Sequence, residues 1–188
     1  MKFLISKVNI LKFCQSGQSL IEVLIIVVLI TAVISGSLGF LVQSYVITQL
    51  VAEQTTATYL SIEGIELVKN LIDANYCNKN NWDKEIDNGE YKADWQSSKL
   101  ESSSSGNSDL TLWYDPSSGR YSHKDISGQS SYGPYKRTIK IEKTSHSSGV
   151  TDEIKVSSLV EWQSRRGNLK INLEDHFYDW RISEVDCL

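Results

Sequence analysis

The chain has 188 residues and a formal net charge of −4, from 19 Lys+Arg against 23 Asp+Glu. That length holds one domain of ordinary size once any membrane segment is set aside. The acidic balance argues against a general nucleic-acid surface, which needs clustered Lys and Arg.

Residues 1–17 carry Lys2, Lys7 and Lys12 and end at Gly17. An apolar run follows, in which no residue from Val23 to Val42 is charged and the next charge is Glu53. About 20 apolar residues suffice to cross a hydrocarbon core of roughly 30 Å as a helix. The lysines all precede the run, so its N-terminal side is expected in the cytoplasm and the rest of the chain outside. Glu22 stands alone at the start of this run. A carboxylate costs roughly 2.5–3.5 kcal/mol at a bilayer centre and less toward its edge, and a plain anchor gains nothing from one. Cleavage after Gly17 would expose the α-amine of Gln18, one helical turn from Glu22, as its counter-charge. A secretory signal peptide cut at Ser35-Gly36-Ser37 is the competing reading. It leaves Glu22 inside the apolar core, and the apolar pattern continues past Ser37 through Leu38, Phe40, Leu41 and Val42. Cys14 lies before the run, so no lipobox competes.

The helical pattern continues beyond the membrane run. Gly36 and Gly39 weaken it by about 1 kcal/mol each relative to Ala. Tyr45, Val46, Leu50, Ala57, Leu60, Gly64, Val68 and Leu71 keep helical spacing, with Glu63, Glu66, Lys69 and Asn70 toward the wetter side. This predicts an amphipathic helix over residues 43–76 whose stripe packs on a sheet. Asp73-Ala74-Asn75 and the polar stretch around Asn80-Asn81 end it.

Residues 77–128 read as a variable polar region dotted with Trp82, Tyr91 and Trp95. Within it, Ser102 to Gly106 resembles a linker. Leu110 to Tyr114, a turn at Asp115-Pro116-Ser117-Ser118-Gly119, and Arg120-Tyr121 read as a hairpin. Residues 129–188 read as an antiparallel sheet and tail. Tyr135, Arg137, Ile139 and Ile141 alternate with Lys136, Thr138 and Lys140. Ile154, Val156, Ser158, Val160 and Trp162 share one face of a second strand. A turn at Arg165-Arg166-Gly167-Asn168 leads to Leu169, Ile171 and Leu173. A sheet with one apolar face needs a cover, and the long helix supplies it. The expected class is α+β.

No catalytic, metal or cofactor constellation is recognisable. His123, His146 and His176 are isolated, without HExxH or CxxC spacing. The acidic tail residues Glu174, Asp175, Asp179, Glu184 and Asp186 lack a calcium-loop pattern. There is no GxSxG, P-loop or dinucleotide fingerprint. The chain therefore reads as a non-enzyme with no cofactor and no nucleic-acid partner; its aromatics serve sheet packing rather than base stacking. Cys77 and Cys187 fall on the oxidising side of the membrane. A bridge between them would close a loop of about 110 residues, for which chain entropy gives roughly 4–5 kcal/mol. Two free or unrelated thiols are the other reading.

The basic leader, Gly17-Gln18, Glu22 and the apolar run together resemble the N-terminal signature of the type IV pilin and pseudopilin superfamily. Arg137-Thr138-Ile139, Val156 to Trp162, Asp179-Trp180-Arg181 and the helix segment Gly64 to Asn70 look most like a minor pilin. The resemblance touches the first third and last quarter of the chain. It implies that prepilin peptidase cuts between Gly17 and Gln18 and N-methylates Gln18, where the family more often has an aromatic residue or Met. It implies that Glu22, fifth in the mature chain, draws in a neighbouring subunit's N-terminus and sets its register. It also implies a helix that melts locally around Gly36 and Gly39 on assembly. The partners implied are other pilin subunits, a polytopic platform protein, an assembly ATPase and membrane lipid. The expected course is a single-pass precursor in the cytoplasmic membrane, then a cell-surface filament. Removing the three leader lysines takes the net charge to −7. Pseudopilins of type II secretion or DNA uptake are the nearest alternatives. A membrane-anchored extracytoplasmic binding domain is a further one.

Overall fold

The computed structural model describes residues 18–97, 99–103, 110–123, 131–145 and 150–180. Its order is α1 (Gln18–Cys77), β1 (Gly89–Lys92), β2 (Glu101–Ser102), β3 (Thr111–Asp115), β4 (Arg120–Ser122), β5 (Ser131–Thr144), β6 (Glu153–Ser164) and β7 (Gly167–Tyr178). The class is α+β, as expected. The chain divides into two compact units, residues 1–49 and 50–188.

In the first unit α1 is helical from Gln18 onward, through Gly36 and Gly39. Every residue from Ser19 to Gln43 is exposed in the isolated chain. This is the apolar run, and a surface of this composition in water would be large and unpartnered.

The second unit is built where α1 meets the sheet. Ala57, Leu60, Ser61, Gly64, Val68 and Ile72 are buried, spaced so that they form one stripe of the helix. Ile72, rather than the adjacent Leu71, completes the buried stripe, and Tyr45 is exposed. All strand pairings are antiparallel. β5 is the spine: β6 runs along it from Tyr135 to Thr144, and β7 runs along β6. Along its other edge β5 pairs first with β3, then with β1. β4 flanks β3 and β2 flanks β1. The middle of the chain is therefore part of the sheet rather than a separate loop region. Ser102, expected in a linker, ends β2.

The face toward α1 carries Tyr135, Ile139 and Ile141 of β5 and Ile154, Val156, Val160 and Trp162 of β6, all buried. Burying a side chain of this size contributes about 1.5–3 kcal/mol. Two clusters result. Ala57 and Leu60 pack with Leu112, Tyr135, Val160 and Trp162. Val68 and Ile72 pack with Trp82, Ile86, Ala93, Ile139, Ile141, Ile154 and Val156. Helix and sheet come closest at Gly64, where a Cβ would collide with Ser158 Oγ and lie 3.3 Å from Arg137 Cδ. One turn away the Ser61 hydroxyl donates to the Ser158 carbonyl at 2.6 Å.

Two turns depend on a left-handed glycine. Gly119 (φ +68°) closes the β3–β4 hairpin, whose amide donates to Asp115 O at 2.9 Å. Gly167 (φ +113°) follows the two-residue turn Arg165-Arg166 between β6 and β7.

Candidate functional site

The sequence places its functional residues at the start of α1. Gln18 is the first helical residue, and Glu22 is exposed one turn later. Gly17, the residue before the expected cut, lies outside the described residues. From Leu20 to Val42 the helix presents apolar side chains on all sides, and α1 is long and apolar enough to cross a membrane. Three hydroxyls in this run are satisfied by the helix itself, as are those of Thr48, Thr55, Thr56 and Thr58 further along α1. The hydroxyl of Thr31 donates to Val28 O at 2.9 Å, Ser35 to Thr31 O at 2.7 Å, and Ser37 to Val33 O at 2.8 Å. A hydroxyl satisfied by its own helix needs no water in a hydrocarbon layer. Glu22 has no such internal remedy, since a carboxylate accepts hydrogen bonds and donates none.

At the far end of α1, Cys77 is disulfide-bonded. The other two cysteines of the chain, Cys14 and Cys187, lie outside the described residues. The neighbouring Tyr76 hydroxyl donates to Asp179 Oδ1 at 2.7 Å, which brings the end of β7 to the end of the helix.

Inside the second unit is a polar cluster that the sequence does not announce. Arg137 sits on the sheet face toward α1 and is 1 % exposed. Its guanidinium donates to Leu60 O at 2.9 Å and to Ala93 O at 2.5 Å, and Glu63 Oε2 lies 3.2 Å from Nη1. Glu63, expected on the wetter side of the helix, is thus half-buried as the counter-ion of this arginine. Burial pushes the Arg137 pKa down, opposed by Glu63 and by Asp94. Burial also opposes ionisation of Asp94. The Ser97 hydroxyl and the amides of His123 and Gln96 outweigh it and hold the carboxyl below its ordinary range. His123 donates from Nδ1 toward Thr111 O at 3.3 Å, with the tautomer inferred from that contact. Burial, reinforced by the charge of Arg137, lowers its pKa from 6.5 to about 4, so it is neutral at pH 7.

These groups bind one another. Asp83 likewise bridges the segment after α1 to the sheet through Thr151 at 2.7 Å and Lys143 at 3.2 Å. Burial works against the Asp83 carboxylate, yet those two partners keep its pKa low. His176 pairs through Nδ1 with Glu153, which also accepts from Tyr178 Oη at 2.9 Å. Among the described residues no three His, Cys, Asp or Glu side chains converge as a metal site. His146, Glu184 and Asp186 lie outside them.

The first unit carries an apolar helix with one carboxylate, and the second is a helix-covered sheet fastened by buried polar contacts. Comparison with protein-family models, with curated proteins and with solved structures finds no match.

Proposed function

We propose that this chain is a minor pilin-like structural subunit of a type IV pilus or related filament. It is made as a single-pass precursor in the cytoplasmic membrane, with the lysine-bearing leader inside. A prepilin peptidase cuts between Gly17 and Gln18 and methylates the new amine of Gln18. The apolar part of α1 then leaves lipid for the filament core. A platform membrane protein and an assembly ATPase drive that transfer, and other pilin subunits are the final partners.

The observation that supports this reading best is Glu22. It is the lone charge on a helix that is otherwise uncharged from Gln18 to Ala52. In an apolar surrounding it requires a cation, and the amine of Gln18 is four residues away in the same chain or available from a neighbour. Either charge buried alone is costly, so a packing that mates every amine with a carboxylate is favoured over slipped registers. The exposed Leu20–Val42 surface exchanges lipid for neighbouring helices without losing apolar contact. A pseudopilin of secretion or DNA uptake shares this chemistry and differs in the machinery it joins. The Cys77 disulfide is assigned to Cys187: Asp179, already at the helix end, is eight residues from it, and Cys14 departs with the leader.

Glu22→Val tests the reading. Processing after Gly17 is expected to persist, while incorporation into sheared filaments falls at least about tenfold. Loss of one buried charge partner, at 3–5 kcal/mol or so, supports a drop of that size or larger. Normal incorporation of the variant would remove the register role of Glu22.

A further inference from the structure

Within the second unit, α1 and β6 run in opposite directions. Ala57 and Leu60 share a buried cluster with Val160 and Trp162, whereas Val68 and Ile72 share one with Ile154 and Val156. Past Trp162, about 10 Å of extended chain leads to the Arg165-Arg166 turn. Back from Ala57, about 10 Å of helix leads to Leu50, where the chain passes to the first unit. The β3–β4 turn lies at this same end of the sheet. Tyr114 of β3 pairs with Ser131 of β5, four residues before Tyr135, whose hydroxyl donates to Glu53 O at 3.2 Å. Arg120 opens β4 after that turn, and its guanidinium lies 4.8 Å from the ring centre of Trp95.

Three arginines and an exposed tryptophan thus gather at the end of the unit from which α1 leads back into the apolar run. Arg120, Arg165 and Arg166 are exposed, and none has a carboxylate partner among the described residues. Of the acids at this end, Glu53 on α1 is partly buried, with its Oε2 enclosed and unpartnered among the described residues. Asp115 accepts from the hydroxyls of Ser117 at 2.7 Å and Ser118 at 2.8 Å, and Glu161 stands in register between Lys136 and Lys170. Carboxylates collect at the opposite end instead, with Glu153 opening β6 and Asp175 and Asp179 at the close of β7.

We infer that this end of the second unit is a contact surface for anionic phospholipid headgroups, holding the precursor's globular part on the membrane before assembly. The guanidinium groups suit phosphate oxygens, which they engage through two parallel N–H donors. Trp95 suits the headgroup level, where amphipathic rings collect. The reach is adequate. Only residues 43–49 lie between the apolar run and Leu50, so the chain tethers this end of the unit near the headgroup layer, which occupies about 5–7 Å on each side. The inference rests on reading residues 18–42 as a membrane anchor.

The test uses the full chain inserted in nanodiscs of zwitterionic or of 30 % anionic phospholipid, roughly a physiological share. Phenylglyoxal modification of Arg120, Arg165 and Arg166 is followed by peptide mass analysis, with acylation of the exposed Lys79 and Lys84 at the far end as reference. The anionic discs are expected to slow arginine modification about fivefold per arginine, leaving Lys79 and Lys84 unchanged. Salt at about 0.5 M is expected to restore the rate by screening. Equal arginine rates in both discs, or a slowing shared with the two lysines, overturns the inference and leaves the anchor reading intact. Failure of the chain to remain with the discs would overturn both.

Discussion

Glu22 is a charge within an apolar stretch of sequence and Arg137 a charge on the apolar face of β5, and their settings differ. Glu22 is exposed on an otherwise uncharged apolar helix, and the proposed register role rests on its need for a cation there. Arg137 is held within the fold by two backbone carbonyls and Glu63, which engage Nη1 and Nη2, while its buried Nε has no hydrogen-bond partner among the described residues. Alternation along β5 placed Arg137 on the core face, but nothing local indicated that a helix residue 74 positions earlier would supply its counter-ion. Long-range pairing of this kind leaves no periodic trace. His123 was equally silent, because its burial depends on strands that join from elsewhere in the chain. Its neutral state has a pH consequence. The folded chain protonates it near pH 4 and the unfolded chain near 6.5, so between these values the unfolded state binds more protons. Stability is expected to fall as pH drops through that window, by roughly 3 kcal/mol at most. Denaturant titrations of the full chain in detergent at pH 7.0 and 4.5 check this. His123→Gln should flatten the difference, and an unchanged difference would place the titrating group elsewhere. Asp94 and Asp83, whose carboxyls are held low, add their own loss only below about pH 4, so the two contributions separate.

At the scale of elements, the strands β5, β6 and β7 were legible because one face alternates cleanly, and the β3–β4 hairpin because Asp115-Pro116-Ser117-Ser118-Gly119 is strong turn chemistry. The short strands β1 and β2 were not. Glu90-Tyr91-Lys92 and Glu101-Ser102 carry no apolar alternation, and their pairing is dictated by an edge of β5 that they complete. The helix stripe is as expected from Ala57 to Val68, but Tyr45 at its start is exposed and Ile72 replaces Leu71 at its end. Its tightest point makes a prediction. Gly64→Ala gains about 1 kcal/mol of helix propensity and loses about 1–3 kcal/mol by overpacking against Ser158. Net destabilisation is expected in thermal unfolding followed by tryptophan fluorescence. The double variant Gly64→Ala with Ser158→Gly should recover part of the overpacking loss, since the colliding atoms are gone. A fully stabilising single variant would mean that helix and sheet separate more easily than this contact implies.

For the whole molecule, the candidate span and the sheet unit were both visible in the sequence, because uncharged length and period-two alternation are global signals. Cys77 is disulfide-bonded, and the Tyr76–Asp179 hydrogen bond, which brings the end of β7 to the end of α1, is what supports Cys187 as the proposed partner. Peptide mapping without reduction is expected to find Cys77 joined to Cys187; a Cys77 joined to a second chain would instead make the bridge intermolecular. The proposed function requires that the apolar helix begin at a freshly cut amine placed to meet Glu22. N-terminal sequencing of the protein recovered from the membrane of producing cells measures this directly. A start at Gln18 is the expected result, and a start at Met1, or near Leu38 after Ser35-Gly36-Ser37, would contradict it.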